Sequence, residues 1–574
     1  MTPGSWSAWS RMSGLLPQRA DWLAMRRSPR RDLLAGLTVA VVALPLALAF
    51  GVASGLGAQA GLVTAVIAGA VAAVFGGSNL QVSGPTGAMA VVLVPVVARF
   101  GTTGVLMVGA MAGLVLIALA VARLGGYVRY LPAPVIEGFT AGIAVVIALQ
   151  QVPAALGVTD AHGEKVWAVA ADAVARFAAD PHPGPVAVAL GVAAVMLIGG
   201  RWRPGVPFSL IAVAAATALA QTTSLDLARI GALPAGLPAA SLGFLDMHAV
   251  GMLLPSALAV AALAALESLL SATVADAMSV NEHHDPDREL FGQGLANLVV
   301  PLFGGIPATA AIARTAVNVR AGASSKLAAL THAGALAVIV LAAAPMVGRI
   351  PLAALAGVLL ATTVRMIEAG SLWALARSTR GDALVLALTF TVTVAFDLVT
   401  AVAVGIAVAV VIALRAVART ATLRQVPLET GDHSAEEHAL LSEHIVAYRL
   451  DGPLFFAAAH TFLLELSAIA DVKVVILRMS RVSTMDATGA HVLGDAVNRL
   501  QKRGITVLLS GIAPGHEQVL AALGVARDLR RGGLVFADTP AAIAYARTTV
   551  LRHHTAQAPL APAAASKQDA GESV

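Results

Sequence analysis

Cysteine is absent from the 574 residues, so the chain has no disulfide framework, no thiolate metal site and no catalytic thiol. Charge is scarce too: 12% of residues are Asp, Glu, Lys or Arg, against roughly 25% in an ordinary soluble domain. Between Leu33 and Leu119 the only such residue is Arg99, and between Met247 and Ala275 it is Glu267. Phosphate loops are missing as well, since neither Gly76-Gly77 nor Gly304-Gly305 is followed by the required Lys and Ser or Thr. Glu282-His283-His284-Asp285 lacks zinc-motif spacing, and no Ser, His and Asp grouping suggests an enzyme. Neither a metal nor a cofactor is expected.

What remains is apolar. Hydrophobic residues make up 58% of the chain and the mean hydropathy is +0.81, which indicates a polytopic helical membrane protein. The net charge of +5 is carried largely by Lys and Arg beside apolar spans, so nucleic acid is not needed to explain it. Residues 1–32 are expected to form a basic cytoplasmic segment without a cleavable signal, because Arg11, Arg19, Arg26, Arg27, Arg30 and Arg31 break them up. Trp6, Trp9 and Trp22 fit either an interfacial amphipathic stretch or a plain basic leader.

Residues 33–418 divide into about 14 apolar segments, counting ~20 residues for a full span and fewer for a half-helix. An even count returns the C-terminus to the cytoplasm and puts Arg123, Arg129, Arg201, Arg203, Arg320, Lys326, Arg365, Arg377 and Arg380 in cytoplasmic loops. Segments three (84–99) and ten (307–319) open on Ser83-Gly84-Pro85-Thr86-Gly87-Ala88 and Gly305-Ile306-Pro307-Ala308-Thr309-Ala310. Irregular backbone at membrane depth is tolerated where it lines a cavity, and two interrupted segments at matching places in two halves point to a binding site. Seven segments per half is an odd number, so the repeat is inverted and the two helix N-termini can face one another. Such ends favour an anion. The plainer alternative is that Pro85 and Pro307 merely start helices at their first position.

Two charges inside the apolar region stand out. Arg314 lies seven residues beyond Pro307, about two turns along the expected half-helix, and its guanidinium wants an anion or a carboxylate. Glu267 lies in segment eight (248–276) with Ser271 one turn on and on the same face. Desolvation disfavours its charged form there, which makes it a candidate proton carrier. The alternative for the two is a structural ion pair.

The runs Ala35-Gly36-Leu37-Thr38, Leu44-Pro45-Leu46-Ala47-Leu48-Ala49-Phe50-Gly51 and Val82 to Met89 resemble the SulP family, the sulfate permease type of anion transporter. So do Glu267-Ser268-Leu269-Leu270, Gly292 to Asn297, Phe303 to Pro307 and Ala313-Arg314-Thr315-Ala316-Val317-Asn318. The resemblance implies core and gate domains in a seven-plus-seven inverted repeat, with elevator-like alternating access and an anion site between segments one, three, eight and ten. It implies anion contacts from amides around Gly87, Ala88 and Met89, and around Ala310 and Ala311, with Phe50 on a broken first segment lining the site and Arg314 nearby. Sodium-coupled bicarbonate members resemble this chain but carry Asp at the position of Glu267 and a hydroxyl residue at that of Ile312, so proton coupling through Glu267 is favoured.

Beyond a linker at 419–439, residues 440–550 alternate strand and helix patterns and form a small α/β domain, with a disordered tail at 551–574. Val482-Ser483-Thr484-Met485-Asp486-Ala487-Thr488-Gly489 resembles a STAS domain. Regulatory relatives carry a phosphorylated Ser where this chain has Ala487, which argues against a phosphoswitch there; Thr488 is the nearest substitute. The expected protein is a proton-coupled importer of sulfate, bicarbonate or a dicarboxylate, in the inner (plasma) membrane as a homodimer with cytoplasmic termini. A sodium-coupled bicarbonate symporter, a passive channel or exchanger, and an anion sensor are the alternatives.

Overall fold

Ala, Leu and Val fill the spans, and backbone groups in lipid must bond within their own segment, so the described residues up to Ala418 fold mostly as helix. The computed structural model describes residues 14–557 apart from 204–205, 224, 235, 280–281, 397, 427–442 and 456–471. Trp6 and Trp9 therefore lie outside the described residues, as does the expected tail beyond Gln557.

In chain order the first half comprises α1 (Arg19–Ala24), α2 (Pro29–Ala53), α3 (Ala58–Phe75), β1 (Ser83–Gly84), α4 (Gly87–Val121), α5 (Ala133–Leu156), α6 (Val166–Ala179), α7 (Pro183–Trp202) and α8 (Phe208–Thr222). The second comprises α9 (Val250–Met278), α10 (Pro286–Val299), β2 (Thr309–Ala310), α11 (Ile312–Arg320), α12 (Lys326–Val347), α13 (Leu352–Met366), α14 (Ala369–Ser378), α15 (Arg380–Ala395) and α16 (Leu398–Ala418). All the expected segments are helices, α4 supplying two of them. It breaks at Gly101, whose φ of 67° and ψ of −168° suit a residue without Cβ. Nine helical stretches among the described residues are long and apolar enough to cross a membrane.

The first segment departs from expectation. It is not broken: α2 continues through Pro45 to Ala53, at the cost of one hydrogen bond to the Val41 carbonyl. Segment ten starts later than expected, at Ile312. Helices α6 and α14 were not foreseen; both are short and lie between spans.

Packing sorts the spans into two groups that repeat across the halves. Helices α2, α3 and α4 pack with α9, α10, α11 and α12, while α5, α7 and α8 pack with α13, and α5 with α15.

The chain contacts divide at residue 409/410 into two units. The second carries a five-stranded sheet of β3 (Thr422–Val426), β4 (Ile445–Leu454), β5 (Val474–Met485), β6 (Thr506–Ser510) and β7 (Val535–Phe536). Strands β4 to β7 run parallel and β3 pairs antiparallel with β4, so part of the expected linker is an edge strand. Helix α17 (Ala487–Lys502) lies between β5 and β6 in the chain, α18 (Pro514–Ala522) and α19 (Val525–Arg531) between β6 and β7, and α20 (Thr539–Gln557) ends the domain. Alternation along β5 sends Val475 and Leu477 toward Leu493, Val497 and Leu520, and Val474 and Ile476 toward Ala542, Ala546 and Val550. Helix α20 runs past the expected tail boundary at 551.

Candidate functional site

Where the spans are interrupted, two strands cross. β1 and β2 pair antiparallel, Ser83 opposite Ala310 and Gly84 opposite Thr309, and a helix follows each. Antiparallel pairing sends the two chains through the crossing in opposite directions, so each helix starts beside it. Neither proline is the first residue of its helix, which removes the plainer alternative: Pro85 precedes α4 by two residues and Pro307 precedes α11 by five. Thr86 caps α4, accepting the Met89 amide at 3.4 Å, whereas Ala311 caps α11 without a side-chain bond.

One face of α9 holds the crossing. Ser268 Oγ lies 2.9 Å from Thr309 Oγ1 and accepts the Ala310 amide at 3.4 Å, while Thr309 Oγ1 donates to the Ala264 carbonyl. Ser271 donates to Thr315 Oγ1 at 2.9 Å, and Thr315 Oγ1 accepts the Val82 amide. Helix α10 holds it from a second side. Gln293 donates to Ser83 Oγ at 2.5 Å and to Glu289 Oε1, and Asn297 bonds both the amide and the carbonyl of Ala308 at 2.8 Å each. Thr64 of α3 does the same for Ile306, at 2.8 and 3.0 Å.

Glu267 is half-buried and accepts the Thr86 hydroxyl at 2.9 Å. Arg314 is buried, at 2% exposure, and donates to the Pro85 carbonyl at 2.8 Å; its other terminal nitrogen has no protein partner. The two therefore form no ion pair. Arg314 is also in the first turn of α11, not two turns along, because the helix begins at Ile312. Gly84 is required beside it: a Cβ there would stand 2.6 Å from the guanidinium.

Phe50 meets the crossing from α2. A Cβ on Gly87 would sit 3.1 Å from its ring and 2.3 Å from Ile147, so the start of α4 is wedged between them. Ala88, Met89 and Ala310 are buried and Ala311 is half-buried. Of the expected amide donors, Met89, Ala310 and Ala311 already bond to Thr86, Ser268 and the Val82 carbonyl. Gly87 and Ala88 of that set, and Ile312 and Ala313 of α11, stand at helix starts, whose first N–H groups lack intrahelical partners. Ile312 is 43% exposed. Thr86, Ser268, Thr309, Gln293 and Asn297 escaped sequence reasoning as contacts; the helix that carries Ser268 is apolar on all sides and so offers no polar stripe to mark it.

A chain of polar contacts joins this crossing to α1. Glu289 Oε2 accepts the amides of Gly77 and Ser78, Lys326 donates to the Gly76 carbonyl at 2.6 Å, and Arg288 donates to Asp21, which lies 3.8 Å from Lys326. Burial acts to raise the Asp21 carboxyl, but the Arg288 hydrogen bond, the Gln18 amide and the charges of Lys326 and Arg288 outweigh it and hold the group below the usual carboxylate range. In the histidine pair of the 282–285 stretch, His284 lies 2.7 Å from Asp276, while Asp285 caps α10.

In the second unit Asp486 caps α17, accepting the Gly489 amide at 2.7 Å, and Ala487 and Thr488 are exposed in its first turn.

Residues 30–389 match the Sulfate permease family and residues 439–542 match the STAS domain. YvdB of Bacillus subtilis (strain 168) is 35% identical over 509 residues, spanning 86% of the present chain and 94% of YvdB. The bicarbonate transporter BicA of Picosynechococcus sp. is 33% identical over 512 residues, 85% and 89% of the two chains. The solved transmembrane domain of a cyanobacterial BicA superposes with a TM-score of 0.61 at 35% identity, covering 66% of the present chain and 98% of that domain. SLC26A9 shares the fold at a TM-score of 0.80 and 17% identity, covering 95% and 94%.

Proposed function

The chain belongs to the sulfate permease family and ends in a STAS domain, and from that premise we propose that it is a secondary active transporter that moves a small oxyanion across the plasma membrane together with protons. The substrate class is sulfate, bicarbonate or a dicarboxylate. The anion rests on the amides of Gly87 and Ala88 and on the opposing start of α11, beside Phe50, where aligned N–H groups and helix dipoles favour negative charge. Arg314 adds its charge from behind the crossing. Glu267 carries the proton, and the core group of helices moves the crossing as one body against the gate group.

One observation carries the proton assignment: the Thr86 hydroxyl links the Glu267 carboxyl to the cap of the helix on which the anion would rest. Protonation and anion binding then act on the same turn of helix. A sodium-coupled bicarbonate symporter is the second reading, since BicA is a bicarbonate transporter; against sodium, Ile312 presents no side-chain oxygen at the start of α11.

The test is uptake of labelled sulfate, bicarbonate and fumarate by the purified chain in liposomes, under an inward proton gradient, a sodium gradient or neither. Proton-driven accumulation that Glu267→Gln removes while the protein stays folded is expected. Survival of that accumulation in Glu267→Gln overturns the proton-carrier role. Accumulation with sodium alone transfers the assignment to the second reading, and flux indifferent to both gradients makes the protein a passive conductor or exchanger.

A further inference from the structure

Helix α14 joins two spans yet buries none of its residues. Ser371 donates to Glu137 at 2.9 Å and fixes one side of it to α5. On the other side Trp373 is 60% exposed, with the Arg377 guanidinium 4.2 Å above its ring. Arg365, at the end of α13, donates to the Met196 carbonyl of α7, so the exposed run Arg201-Trp202-Arg203 belongs to the same rim. Trp202 is 87% exposed.

Five arginines, 201, 203, 365, 377 and 380, therefore gather at one end of the group formed by α5, α7, α8, α13 and α15, and none forms an ion pair among the described residues. Of the neighbouring carboxylates, Asp382 accepts Ser378 and Thr379, Glu137 accepts Ser371, and Glu368 stands exposed at the opposite end of α14 from Arg377. Lipid-facing apolar side chains stop at this level: Ile198 on α7 and Leu384 on α15 are 68% and 55% exposed within two turns of the arginines. An apolar band that ends in exposed Trp and unpaired Arg is the composition of a membrane interface, and basic clusters at the cytoplasmic ends of spans attract anionic head groups.

We propose that α14, with the ends of α7 and α13, is an interfacial platform that binds anionic phospholipid, Arg377 and Arg380 holding the phosphate and Trp373 lying among the acyl-chain ends. The platform is separate from the crossing, so it stands whether or not the transport reading does.

Tryptophan quenching by brominated lipid tests it. The full chain is reconstituted in phosphatidylcholine bilayers containing an equal small fraction of either brominated phosphatidylglycerol or brominated phosphatidylcholine, and the Trp373 signal is taken as the difference from Trp373→Phe. At least twofold stronger quenching by the anionic lipid is expected. Arg380→Gln, which touches no tryptophan, should bring the two lipids toward equality, and Arg380→Lys should restore the preference. Equal quenching of the parent chain by both lipids overturns the proposal, as does absence of quenching by either, which would mean that protein covers the helix. A preference unchanged in Arg377→Gln/Arg380→Gln also overturns it.

Discussion

The two arms of the crossing, residues 83–89 and 309–315, are counterparts in the halves of the chain and are held in different ways. Arm one is buried throughout and owns a side-chain cap, Thr86. Arm two has no such cap, exposes Ile312 and Ala313, and contributes the buried cation Arg314, whose hydrogen bond goes to Pro85 of arm one. Matching chain paths thus carry unequal chemistry: the acid reports to arm one, and the base of arm two braces arm one as well. Helix α10 shows the same inequality four residues apart, with Gln293 serving one hydroxyl of arm one and Asn297 both backbone groups of Ala308 beside arm two.

The most severe way to break the comparison is Gly84→Val. Its Cβ would meet both Arg314 and, at 3.4 Å, the Ala65 backbone, so loss of uptake to background and destabilisation of about 1–3 kcal/mol are expected, read by flux and by thermal unfolding. Next comes Asn297→Leu against Gln293→Leu. The first strands two buried backbone groups at about 1–3 kcal/mol each and should lower the melting temperature more than the second; the reverse order would contradict the unequal support inferred for the arms. Thr86→Val should remove the cap at about 1 kcal/mol and lower proton-driven uptake about tenfold, with Thr86→Ser retaining most of both. An uptake unchanged by Thr86→Val would detach Glu267 from arm one.

The smallest effect concerns α1. Because the Asp21 carboxyl is held below its ordinary value of 3.8, its contribution is fully present above that value and fades as pH falls through the lower folded one. Proteolysis near Arg19–Ala24 should therefore be slow at neutral pH, quicken only in strong acid, and be quickened at neutral pH by Asp21→Asn.

Much of the architecture was legible because apolar runs of span length and two Gly-Pro interruptions are loud signals. The domain of β4 to β7 was equally plain, since strand and helix periods alternate cleanly from Ile445 onward. What escaped has physical reasons. A two-residue strand has no period, so the pairing of Ser83 with Ala310 could not be read, and small residues such as Ala308 and Ala310 suit a helix as well as a strand, which placed the start of α11 five residues early. β3 is an edge strand with one neighbour and mixed exposure, and it was absorbed into the linker. Short α14 sits between spans and was lost in their hydropathy. The ion pair kept as the alternative for Glu267 and Arg314 is not formed, and the partner that Glu267 does take, Thr86, carries no charge that would single it out in the sequence.

Thr86 has one proton to give. With Glu267 ionised, that proton points at the carboxylate and the oxygen's lone pairs remain for the Met89 amide. Once Glu267 is protonated, the acid becomes a donor itself, the threonine hydroxyl is free to turn, and its lone pairs must be divided between the acid and the amide. Two lone pairs suffice for both, so the first turn of α4 keeps its cap in either state of the acid while the direction of the hydrogen between Thr86 and Glu267 reverses.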